Sequence, residues 1–194
     1  LAKSIVAIVE GFGEVEAVPI LLRRWFELSG LTSPEIPRPI RIPKHRLVAE
    51  GELERTIEQA ARRAGCDGAI LVLVDADDDC AAELGAQLRA RAREARRDRE
   101  VAVVLPVREF EGWLLASAES LSGHRGLQPD LKPPANAEDV RDAKGWLSGH
   151  MTRGRIYAPR VDQAALAQAL DFQLAQRSSS FRKFLRDLER LARR

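Results

Sequence analysis

The chain reads as an α/β fold on a mostly parallel sheet with helices on both faces, and three observations predict it. Short apolar runs rich in β-branched residues lie at 4–9, 69–74 and 101–107. Segments of helical apolar spacing separate them. The first two runs lead directly into acidic residues, and the third reaches Glu109 after Arg108. Strands that alternate with helices pair in parallel through right-handed crossovers, which bring every strand's carboxyl end to one edge, where open α/β sheets bind ligands.

Residues 4–9, Ser-Ile-Val-Ala-Ile-Val, predict a strand buried on both faces. Gly11 and Gly13 break that pattern, and Val15, Val18, Leu21, Leu22, Trp25 and Leu28 then recur at helical spacing up to a stop at Gly30. Four prolines between 34 and 43 predict a loop or an edge strand, since proline cannot donate to a central ladder. A helix is expected from Glu50 to Ala64, ended by Gly65. The clearest strand is 69–74, followed by the acidic segment 75–79 and a helix over 80–98. The strand at 101–107 is interrupted by Pro106, and a short helix near Phe110 carries Trp113, Leu114 and Leu115. Residues 120–136 predict a long loop. Helices follow near 137–147, 162–175 and 179–192, the last with Ser178–Ser180 as its N-cap. The expected organisation is an α/β core over 1–120 and a loop and helical C-terminal extension over 121–194 packed on it.

The 194 residues are 45% hydrophobic and 31% charged, a globular composition with a net charge of only +2. Cys66 and Cys80 are too few for a disulfide framework and are expected as buried free thiols. No stretch approaches the ~20 apolar residues of a membrane helix, and no cationic start precedes an apolar signal core. The expected location is the cytoplasm, away from membranes. His45, His124 and His150 have no zinc-ligand spacing, and Gly-x-Ser-x-Gly is absent. Gly11-Phe-Gly13 lacks both the third glycine of a dinucleotide loop and the Lys-Ser/Thr of a P-loop. The Arg-rich helices at 89–99 and 182–194 are interleaved with acids and read as solvated faces, although the second could touch a polyanion. Arg38, Arg41, Lys44 and Arg46 are less neutralised, but no aromatic residue interleaves with them to stack single-stranded bases.

Three strands end in acids: Glu10 after the first, Asp75 and Asp77 after the central one, Glu109 and Glu111 after the next. On neighbouring parallel strands these converge. Like charges gathered in one place are costly unless a cation neutralises them, and hard cations such as Mg²⁺ take oxygen ligands. Asp78 or Asp79 could instead cap the helix at 80–98, and Glu109 or Glu111 the helix that carries Trp113.

Ile8-Val9-Glu10-Gly11 with Glu14, followed by Val74-Asp75-Ala76-Asp77, resembles the Toprim domain of primases, topoisomerases, ribonuclease maturases and OLD-family nucleases, over residues 4–115. The segments 109–115, 144–147 and 178–181 look like an uncharacterised bacterial family of Toprim-like proteins spanning the whole chain. The resemblance implies that Glu10 is a general acid or base and that Asp75 and Asp77 hold metal. The continued acidic run at Asp78 and Asp79 looks closer to OLD-type nucleases. These use a basic residue beyond the acidic motifs, a role for which Lys144 is the candidate. Tyr157, the only tyrosine, lies outside any topoisomerase context, so a covalent phosphotyrosine mechanism is not expected. The expected function is Mg²⁺- or Mn²⁺-dependent phosphodiester hydrolysis on nucleic acid, DNA before RNA. Asp75 and Asp77 would be ligands, Glu10 base or ligand in a two-metal scheme, Glu109 or Glu111 would complete the set, and Lys144 or a nearby arginine would face the scissile phosphate. One alternative is a non-catalytic or conditionally active subunit partnering an ATPase in defence or repair. Another is a receiver-like phospho-acceptor, which needs a lysine after a fifth strand, where Lys132-Pro133 instead follows a loop.

Overall fold

Every residue of β1 (Ile5–Val9), β3 (Ala69–Leu73) and β4 (Val101–Val104) is buried, as continuous apolar runs require when a sheet is covered on both faces. The computed structural model describes residues 2–152 and 154–193. With β2 (Ile40–Arg41), the strands form one sheet of order β2-β1-β3-β4, parallel throughout. The fold is therefore α/β with a parallel sheet, as the sequence predicts.

The two-residue period of the strands divides the core. Ile5, Ala7, Val9, Leu71, Leu73, Ala102 and Val104 face one apolar cluster. That cluster is filled by α1 (Phe12–Leu28), α5 (Glu111–Ala116) and the C-terminal helices α7 (Ala164–Ala169), α8 (Phe172–Ala175) and α9 (Ser179–Ala192). Val6, Ile8, Ile70, Val72, Val101 and Val103 face a second cluster made with α3 (Glu52–Ala64) and α4 (Ala81–Ala95). Two shorter helices, α2 (Lys44–Leu47) and α6 (Ala143–Gly149), flank the carboxyl edge. Among the described residues no helix is long and apolar enough to cross a membrane.

Several expected boundaries move. Gly30 (φ 65°) and Gly65 (φ 71°) follow α1 and α3 in left-handed backbone, as proposed for their stops. The helix expected at 80–98 closes at Ala95, and neither Asp78 nor Asp79 caps it, because both are drawn into long-range ion pairs. Neither Glu109 nor Glu111 caps α5 with its side chain. The helices expected at 137–147 and 162–175 are broken into 3₁₀ turns, a π-turn at Pro159–Gln163 and short α segments. Cys66 and Cys80 are exposed, not buried, because Cys66 sits in the turn before β3 and Cys80 at the N-cap of α4.

Trp113 anchors the C-terminal segment to the sheet. Its ring lies 5.1 Å from those of Phe181 and Phe184 and 5.3 Å from that of Phe110. Its indole N–H donates to Ser180 Oγ at 2.9 Å, and the backbone N–H of Val107 donates to the same oxygen at 3.2 Å. Ser178 Oγ accepts from Phe181 N–H at 3.1 Å, so the N-cap of α9 forms as expected. Ser180→Ala is expected to orphan two donors and destabilise the chain by about 2 kcal/mol in urea denaturation; no loss would remove Ser180 from the anchor. Along the outer side of β4, Lys183 Nζ donates to Val103 O and Arg190 Nη2 to Val101 O, at 2.5 and 3.1 Å.

Candidate active site

The parallel register carries the ends of β1, β3 and β4 to one edge, and the acids that follow them line a cleft there of about 520 Å³. Glu10, Glu14, Asp75, Asp77, Glu111 and Lys144 all contribute to its wall. Glu109 stands behind it, paired through Lys144 Nζ at 2.9 Å.

Each acid is held by a separate local cause. Glu10 follows β1, where the chain turns into α1. Glu14, in the first turn of α1, folds back so that Oε2 accepts the N–H groups of Gly11 and Glu10 at 2.8 and 3.1 Å. Burial pushes the Glu14 carboxyl up to about 7 against those hydrogen bonds, and the charge of Glu111 adds to the rise. Asp75 Oδ1 accepts the N–H of Phe110 at 2.8 Å, which ties the end of β3 to the start of α5. Burial first, then the charges of Glu14 and Glu111, hold the Asp75 carboxyl well above the ordinary aspartate range. Glu111, 1% exposed, accepts from Tyr157 O–H at 3.0 Å and Gln163 Nε2 at 3.4 Å. Burial raises its pKa although Lys144 opposes the shift. For Lys144, burial disfavours the charge, but Glu111 and Glu109 outweigh it and raise its pKa, so the ammonium persists.

Asp77 meets a different environment. Lys44 Nζ, from the buried start of α2, donates to Ala76 O at 2.6 Å and lies 2.9 Å from both Asp77 Oδ2 and Asp79 Oδ2. Asp78 pairs with Arg108 at 3.2 Å. Asp77 (φ 53°) and Arg108 (φ 62°) both adopt left-handed backbone, and Asp77 N–H donates to Arg108 O at 2.9 Å. Such conformations in non-glycine residues cost of order 1 kcal/mol each and persist where surrounding contacts hold them. On the opposite wall a Cβ on Gly13 would stand 1.9 Å from Gln163 Oε1 and 2.8 Å from Pro159 O. Only glycine lets α1 approach the turn that carries Gln163 so closely.

Among the described residues no three Asp, Glu, His or Cys side chains form a ready-made metal cage. The donor chemistry nonetheless fits a hard cation. Oε2 of Glu10 and of Glu111 are buried oxygens with no hydrogen-bond donor, the latter seeing Lys144 only across an ion pair of 3.3 Å. Carboxylate oxygens left without donors in a crowded acidic cleft are the ligand type that Mg²⁺ and Mn²⁺ take.

The family described as "Domain of unknown function (DUF4276)" matches residues 9–189, from the end of β1 into α9. The chain belongs to that family. The DUF4276 match includes every residue that lines the cleft. No curated protein and no solved structure matches the chain.

For this DUF4276 chain, sequence reasoning missed four residues around the cleft. Glu14 stood only as part of a motif; its place four residues after Glu10, in the first helical turn, was the available signal. Lys44 stood in a basic stretch, with nothing local to show that it spans to Asp77 and Asp79. Tyr157 and Gln163 reach the cleft through an irregular segment that no periodicity marks.

Proposed function

We propose that the chain carries out divalent-cation-dependent hydrolysis of phosphodiester bonds in nucleic acid, DNA foremost, with a Toprim-like division of labour among its carboxylates. The observation that carries this reading is the unpartnered oxygens of Glu10 and Glu111 in one cleft with buried Asp75 and Glu14. Asp75 and Asp77, completed by Glu111, would hold Mg²⁺ or Mn²⁺, and the ion would neutralise the phosphate and acidify a water. Glu10, the least constrained carboxylate of the wall, would accept the proton of the attacking water. Lys144, held as an ammonium, stabilises negative charge and cannot serve as a base. Tyr157 and Gln163 orient Glu111.

A second reading keeps the site non-catalytic, as in a subunit that works with an ATPase. It is favoured by the internal counter-charges, Lys144 on Glu109 and Glu111 and Lys44 on Asp77 and Asp79. These would let the fold stand without a cation.

The deciding measurement pairs Mn²⁺ titration calorimetry with plasmid and single-strand cleavage, with and without EDTA. The parent should bind Mn²⁺ and cut DNA only in its presence. Affinity should rise with pH, because the raised carboxyls must lose protons to bind the ion. Asp75→Asn should weaken Mn²⁺ binding by tenfold or more without lowering the metal-free melting temperature. Equal affinity in the two proteins would remove Asp75 from the ligand set. Metal binding without cleavage, joined to tight association with an ATPase, would favour the second reading.

A further inference from the structure

The mouth of the cleft holds an arrangement that the carboxylate chemistry leaves unused. Phe12, the first residue of α1, lies 49% exposed on the cleft wall. Arg41, at the end of β2, and Arg160, in the π-turn, place their guanidinium carbons 4.0 and 3.8 Å from the centre of its ring. Both cations thus share one aromatic ring. Sequence reasoning found no aromatic among the basic residues 38–46; the fold supplies one from a different element.

Both guanidiniums are otherwise uncommitted. Among the described residues neither forms an ion pair, and Arg41 donates one long hydrogen bond, 3.4 Å, to the carbonyl of Glu10. The exposed arginines nearby behave differently: Arg38 pairs with Glu16, and Arg155 with Asp162. Cation–π contact restricts a long side chain, so the ring pre-orients two planar donor forks at the entrance to the acidic cleft. Such forks match phosphate oxygens.

We propose that Phe12, Arg41 and Arg160 form a clamp for the phosphodiester backbone of a single strand, seating it so that the chain runs on into the cleft. This rests on the reading of the cleft as a phosphodiester site and adds the form of substrate. A cleft of about 520 Å³ has the scale of a small-ligand pocket, room for one or two nucleotides. A single strand can thread one or two nucleotides into such a pocket, whereas a duplex keeps its bases paired and stacked.

The test is fluorescence anisotropy of the full chain with a labelled single-stranded dT oligomer in EDTA, across a salt series. Arg41→Gln and Arg160→Gln should each weaken binding about tenfold and reduce the slope of log affinity against log salt by about 0.7, one phosphate contact each. Phe12→Ala keeps both charges, so it should weaken binding with the slope unchanged. Arg89→Gln, on α4 away from the clamp, should change neither quantity. Unchanged affinity in both arginine variants, or an equal loss in Arg89→Gln, would overturn the clamp. Tighter, variant-sensitive binding of a duplex would overturn the single-strand assignment. Because binding is read without metal, its loss in the variants beside absent hydrolysis leaves the clamp standing while the hydrolytic reading falls. Metal-dependent hydrolysis untouched by the variants does the reverse.

Discussion

Glu10→Gln is expected to lower metal-dependent DNA cleavage by at least a factor of about 100, the lower end of what general base catalysis contributes. The amide keeps the size and shape of the side chain and removes its basicity. The backbone around residue 10 should not respond. Its N–H donates to Glu14 and its carbonyl accepts from Arg41, and neither contact involves the Glu10 side chain. The metal-free melting temperature should therefore match the parent's, so that lost cleavage reads as lost chemistry. Glu16→Gln is the control: Glu16 lies on α1, a short way beyond Glu10, but pairs outward with Arg38. Cleavage should survive Glu16→Gln and fail in Glu10→Gln. Cleavage by Glu10→Gln at the parent's rate, in Mn²⁺ and not in EDTA, would move the base to another carboxylate of the wall.

Glu14→Gln is expected to make the metal-free chain more stable at pH 8, by up to about 3 kcal/mol, and to leave it nearly unchanged at pH 4.5. The folded-state pKa of Glu14 is raised to about 7 from an ordinary value of 4.5. A raised carboxyl contributes stability that is fully present below the unfolded pKa and is lost as pH rises through the folded one. The window thus runs from about pH 4.5 to just above 7. Glutamine keeps an acceptor for the N–H groups of Glu10 and Gly11 and never ionises. Asp75 is raised partly by the charge of Glu14, so the parent-minus-variant difference reads Glu14 together with its repulsion of its neighbours. Urea denaturation in EDTA at several pH values measures it. Parallel pH curves for the two proteins would show that Glu14 is ionised without penalty in the folded chain.

The sheet was legible because burial on both faces writes itself as an uninterrupted apolar run. Residues 4–9 and 69–74 needed no partner to be recognised. The last helix was legible because three serines mark its start. The loop expected over 120–136 is there, but the segment from 137 to 163 was not legible. Its turns are held by tertiary contacts such as Arg125 and Arg155 on Asp162, and Thr152 on Gly126, which leave no periodic trace. The site divides along the same line. Glu10, Asp75 and Glu111 follow from strand ends and parallel pairing. Lys44 locking Asp77 and Asp79, and Tyr157 reaching Glu111, join residues 33 to 46 positions apart and depend on the assembled fold.

The outer side of β4 bears on how the chain behaves when many copies are crowded together. An open strand edge invites another chain to add a strand, the first step of sheet growth between molecules. Here the outward carbonyls of Val101 and Val103 are already bonded to Arg190 and Lys183, and the N–H of Val107 to Ser180. The other edge, β2, is only two residues long and set among prolines. An incoming strand would have to displace charged side chains at one edge and would find little ladder at the other. The same lysine and arginine that fasten the last helix thus guard the native sheet against fibril-like stacking.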